Sequence, residues 1–227
     1  MAGEAAMTIF FTLDLERQPM RVILLIMLAV GIAGCATSGN NARMDTVDNV
    51  ALVDARAKLG LGRCDLELAN DILALGYPGL EQEAAYTCLE QGQVQAVERL
   101  LTDFQTRHPE AANLDYSAYL LALAQFIRFE LAEGDDQARL TTGRRAHDGL
   151  VAFVRQYPES AYRQEVAPRL EALHEGMASA EYDLALADIE AGRRELGVKR
   201  LRYVVQNYSR SDAASSAKQW LQQRATP

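Results

Sequence analysis

Four times along the chain, apolar residues recur in steps of three and four and close on an aromatic ring or a histidine. With the pairs Tyr77-Pro78, His108-Pro109, Tyr157-Pro158 and Tyr208-Ser209 as origins, the fifth position back is Leu73, Phe104, Phe153 and Val204. The eighth is Asn70, Leu101, Leu150 and Leu201, and the twelfth is Leu66, Val97, Ala146 and Gly197. Such spacing lays side chains along one face of a helix. Gly92 and Gly192 stand seventeen positions back, with Gly60, Gly62 and Gly143 close to that place in the other units. Each unit therefore predicts a helix, a glycine-marked turn, a second helix and a stop. Proline supplies the stop, because it lacks an N–H and disfavours α geometry in the residue before it.

The segment Thr46–Gln223 is rich in Ala, Leu, Glu, Gln and Arg and reads as helix throughout. The spacing of 31 residues between the first two stops is near the tetratricopeptide period. The later spacings of 49 and 51 predict longer or extra helices, with residues 131–145 as an inserted loop. The expected fold is all-α, a tetratricopeptide-type helical-repeat solenoid over residues 46–227, in which each pair leaves an apolar face for its neighbour to cover. A non-repeating helical bundle is the alternative.

Ahead of this body, "VILLIMLAVGIA" from Val22 to Ala33 is apolar throughout. At 1.5 Å per residue it spans about 18 Å, short of a bilayer core. With Met20 as the true start and Arg21 behind it, the run is the hydrophobic part of a secretory signal peptide. A start at Met1 would add Glu4, Asp14 and Glu16, which are unusual in that position. Ile32-Ala33-Gly34-Cys35 resembles the bacterial lipobox. The resemblance implies a signal peptide over residues 1–34, lipid attachment at Cys35 with palmitate among the acyl chains, and a flexible tether over 35–45. Ala36 then points to the outer membrane. An ordinary signal peptide ending near a cysteine is the other reading.

Charge narrows the function classes. The chain carries 31 acids against 23 bases, a formal charge of -8, which disfavours nucleic acid as a partner. No phosphate-binding glycine loop, HExxH or CxxC occurs. His108, His147 and His174 follow no ligand pattern, so no catalytic residue, metal or cofactor is expected. Trp220 is expected to cap the core of the last repeat.

The segment from Tyr157 to Tyr208 resembles the last repeats of the BamD/ComL family, tetratricopeptide lipoproteins of the outer-membrane protein assembly machine. The matching residues are Tyr157, Pro158, Ser160, Tyr162, Arg169, Leu170, Leu173, Glu181, Tyr182, Ala185, Gly192 and Arg200. Asp115, Tyr116, Tyr119 and Leu123 extend the likeness upstream. Ala187 and Asp188 stand where the family has aromatics, and Ser209 replaces its final proline. The resemblance implies a non-enzymatic scaffold on the periplasmic side of the outer membrane. Its C-terminal repeats would dock on the last periplasmic domain of the barrel subunit BamA, with other assembly lipoproteins and unfolded outer-membrane proteins as further partners. Another tetratricopeptide lipoprotein, a pilotin or secretion-system adaptor, is the runner-up.

Two sets of residues remain. Arg193, Arg194, Lys199, Arg200 and Arg202 place five bases within ten residues of an acidic chain, either as a partner-binding surface or as a solvated helix face. Arg200 borders the packed stripe and matches the family arginine that faces the barrel subunit. It is therefore expected to pair with a partner carboxylate. Cys64 and Cys88 fall by repeat frame at adjoining helix ends, as a disulfide or as two buried thiols.

Overall fold

The computed structural model describes residues 41–223, so Cys35 and the signal segment 1–34 lie outside the described residues. Its elements are α1 (Asn41–Gly60), α2 (Leu66–Leu75), α3 (Pro78–Glu90), α4 (Val94–Leu101), α5 (Phe104–Arg107) and α6 (Leu114–Glu130). They continue with α7 (Asp136–Gln156), a 3-10 turn (Ala161–Glu165), α8 (Val166–Glu190), α9 (Arg194–Asn207) and α10 (Asp212–Gln223). No strand occurs among the described residues, and the fold is an all-α helical repeat. The first helix begins at Asn41, inside the segment read as tether.

The repeat is clearest where each second helix stops. His108, Tyr157 and Tyr208 adopt nearly one conformation, with φ of -132°, -126° and -121°. Each donates its N–H to the carbonyl four residues back, on Phe104, Phe153 and Val204. The tight turns between paired helices use glycine with positive φ: Gly62, Gly92, Gly134 and Gly192. Proline is missing after Tyr208, and Ser211 does its work. Its hydroxyl donates to the Tyr208 carbonyl at 2.8 Å and accepts from the Ala214 N–H at 3.0 Å, closing one helix and opening the next.

Three expectations are corrected. In the first unit the stop is Gly76 in the left-handed region, and Pro78 opens α3 rather than ending α2. The buried residues there are Leu68, Ala69 and Ile72, so the frame counted from Tyr77-Pro78 is out of step by one residue, with Ile72 and Ala69 in the places given to Leu73 and Asn70. Second, residues 136–145 are helix, and the loop is confined to 131–135. The long spacing is absorbed by α6, α7 and α8, of 17, 21 and 25 residues. Third, the second helix of unit two is interrupted at Thr102-Asp103, where Asp103 takes a φ of 58°.

From Asp48 onward the chain forms one unit with two apolar cores that meet at α6. Leu120 and Ala124 on one side of this helix join the core of α1 to α5. Tyr119, Ala122, Phe126 and Phe129 join the core of α7 to α10. A helix sandwiched in this way is apolar nearly all round. Glycines set how closely its neighbours approach. A Cβ on Gly143 would lie 2.7 Å from Met177 Cγ, and one on Gly176 would lie 2.6 Å from Phe129 Cζ. Phe129 thus fills the gap between α7 and α8, under the Arg139 guanidinium 4.7 Å from its ring centre.

Candidate functional site

The site is assembled on α8 and α9. Glu181 and Asp188 stand seven apart on α8, two turns along one face, and both are buried. Arg200 reaches across from α9 and donates from Nη1 to Glu181 Oε2 at 2.6 Å and from Nε to Asp188 Oδ2 at 2.9 Å. Arg193 donates twice to the other Asp188 oxygen, from Nε at 2.9 Å and Nη2 at 2.7 Å. Arg144, on α7, approaches Glu181 Oε1 at 3.6 Å. Two acids thus collect three guanidiniums from α7, α9 and the turn before α9.

The electrostatics follow from these bonds. The Arg193 hydrogen bonds, and then those from Arg200, hold Asp188 below the usual carboxylate range against the opposing effect of burial. For Arg200 burial works against the charge, but the bonds to Glu181 and Asp188 outweigh it and raise its pKa. The ring of Tyr208 packs beside this cluster, and burial pushes its phenol up to about 12.

The five predicted bases therefore divide. Arg200 and Arg193 spend their donors on their own chain. The side chain of Arg200 keeps only 28% of its surface exposed, and its bonds to Glu181 and Asp188 make it a clamp between α8 and α9. Arg194 lies over Trp220 at 5.5 Å from the ring centre, and Trp220 packs against the C-terminal core. Lys199 and Arg202 are exposed, and neither pairs with a carboxylate among the described residues.

Beside the clamp a cleft of about 830 Å³ opens between α7 and α9, floored by α8. His147, His174, Tyr203, Tyr208 and Arg210 line it. From the sequence, His147 and His174 followed no ligand pattern and Tyr208 marked a repeat stop, so nothing pointed to a cleft.

At the other end of the chain Cys64 and Cys88 form a disulfide, with Cα atoms 5.2 Å apart. Cys64 sits in the turn before α2 and Cys88 near the end of α3. Sequence reading gave no sign of a second buried clamp at Glu81. That carboxylate is 1% exposed and meets Arg107 Nη2 at 2.7 Å and His108 Nε2 at 2.8 Å. Among the described residues no group of three His, Cys, Asp or Glu is placed to hold a metal ion, and no helix is long and apolar enough to cross a membrane.

Fold and site together define a helical-repeat protein whose ordered polar clusters tie helices to one another. The model of the YfiO family, outer membrane lipoproteins of the BamD-like kind, matches residues 79–225, and the chain belongs to that family. The match begins at the second residue of α3, leaving out the first helix pair. Among curated proteins nothing matches the chain.

Proposed function

We propose that this protein is the BamD-type scaffold of an outer-membrane β-barrel assembly machine, anchored through acyl chains on Cys35 and facing the periplasm. The observation that carries the reading is the family match over residues 79–225, which contains every residue of the Arg200 clamp. Lipid chains hold the scaffold at the membrane, since each buried CH₂ contributes about 0.8 kcal/mol and several chains anchor stably where one does not. The last two repeats, held rigid by Arg200, Arg193, Glu181 and Asp188, present Lys199 and Arg202 to the last periplasmic domain of BamA. Arg200 serves that contact by fixing α9 against α8. Other assembly lipoproteins and unfolded outer-membrane proteins are the further partners of this reading.

The test is a pull-down of the full chain from detergent-solubilised membranes. BamA is expected to come with it. Recovery of a pilus or secretion-system subunit instead would assign the scaffold to that machine. Replacing Cys35 with serine is expected to abolish incorporation of labelled palmitate and move the protein out of the membrane fraction.

A further inference from the structure

The helix α9 has two organised faces. One is the core stripe of Gly197, Leu201 and Val204, continued by the cap Tyr208. Away from it, on the outer side of the helix, run Leu196, Lys199 and Tyr203, at spacings of three and four that again make a single stripe. Leu196 is 43% and Tyr203 42% exposed, and they are the large apolar side chains left exposed anywhere from α7 to α10 among the described residues. Scattered singly they would call for no explanation. Both fall on one line of one helix, however, with Lys199 between them, which pairs with no carboxylate among the described residues, and Arg202 on the flank. Tyr203 also carries the stripe to the rim of the cleft over α8.

We propose that the Leu196–Lys199–Tyr203 stripe is a docking surface for an acidic protein surface that offers an apolar contact between its carboxylates. The inference rests on the reading that the last repeats hold a protein partner, and it adds to the bases of that contact an apolar centre, Leu196 and Tyr203, on the outer face of α9. Charge selects the occupant. A second copy of this chain brings a formal charge of -8 toward the same charge and is repelled. An anionic membrane surface is held by clusters of about four to eight bases, and this face offers two unpaired ones. An acidic protein surface satisfies Lys199 and Arg202 and buries the leucine and the tyrosine, the latter a side chain enriched at interface hot spots. Arg200, Arg193, Glu181 and Asp188 are then positioning residues, which hold α9 at the angle that presents the stripe.

The experiment is photo-crosslinking in intact cells, with p-benzoylphenylalanine replacing Tyr203 or Leu196 in the full-length lipoprotein and, as a control, Gln93. Adducts to a protein, mapped by mass spectrometry to an acidic segment, are expected at 196 and 203 but not at 93. Adding Lys199→Glu should cut their yield by about tenfold, and Lys199→Arg should keep it, with helicity and melting temperature unchanged in both. If the adduct is with a protein other than BamA, the stripe stands and the proposed function falls. Adducts only to lipid or to a second copy, or none, overturn the stripe, while recovery of BamA in the pull-down leaves the proposed function intact.

Discussion

The two cores that share α6 are built on one repeat and locked in different ways. Around the first, the helices between α1 and α6 run only 4 to 13 residues, α4 breaks into α5, and Asp103 and Asn113 take φ of 58° and 57°, where residues other than glycine rarely go. Around the second, helices run to 25 residues and glycines let them close on each other. From Asp48 to Gly134 acids outnumber bases more than two to one, whereas from Asp135 to Gln223 the two balance. The first half is closed by a disulfide and by one carboxylate, Glu81, sealed from water. The second is closed by a partly open network of two acids and three arginines. Both cores are lined with buried apolar side chains throughout, so the clamps add to packing in each half and differ in how far they are sealed from water.

The sharpest way to break the contrast is to remove Glu81. Glu81→Ala takes from Arg107 and His108 the one carboxylate they share. The cost is about 3 kcal/mol, the low end for a broken buried pair, because Arg107 keeps the carbonyls of Leu100 and Thr102 and a third of its surface in water. Thermal or denaturant unfolding checks this. The matching change Glu181→Ala should cost less, about 1–3 kcal/mol, because Arg200 keeps a second carboxylate in Asp188, whereas Arg107 and His108 lose the one they share. Equal losses would mean that Asp188 does not make up for what Arg200 loses.

The disulfide comes next. It closes a loop of 24 residues across α2 and α3. Replacing Cys64 and Cys88 by serine, or adding reductant, should remove about 3 kcal/mol by restoring freedom to the unfolded chain. Hydrogen exchange should show the loss in α2 and α3 while α8 and α9 stay protected. Uniform loss of protection would join the halves into one cooperative unit.

How much of this was legible before the structure depends on whether a local signal existed. The aromatic stops were legible because a ring four residues past a buried side chain ends each helix in the same conformation. The stop at Gly76 was not, since Tyr77-Pro78 imitates the pairs that follow the other units while Pro78 serves to start α3. The Arg200 clamp was half legible. Arg200 stood out by charge, and Glu181 and Asp188 could have been paired with it from their spacing of two helical turns. Asp188 was read instead only as a departure from the family's aromatic. Glu81 gave no signal: a glutamate in the first turn of a helix favours the helix dipole whether it is exposed or buried, and only the tertiary fold brings Arg107 and His108 to it.

A smaller effect, about 1–3 kcal/mol, is expected from Gly197→Ala, whose Cβ would stand 2.5 Å from the Ala185 carbonyl oxygen, a backbone atom with little room to yield. That change pushes α9 off α8 without touching any charge, so it separates packing from ion pairing in the second half.

The finest test is of pH. Asp188 is held below its usual range, so its contribution to stability is complete above the unfolded value of about 3.9. It is lost as the pH falls through the lower, folded value. The wild-type protein should therefore lose stability on acidification through this window, and Asp188→Asn should flatten that part of the curve while lowering stability at neutral pH, where Arg193 and Arg200 lose their anion. If Asp188→Asn leaves the acid limb unchanged, the carboxylates of the acidic first half govern acid unfolding, and the open clamp on α8 and α9 serves geometry more than stability.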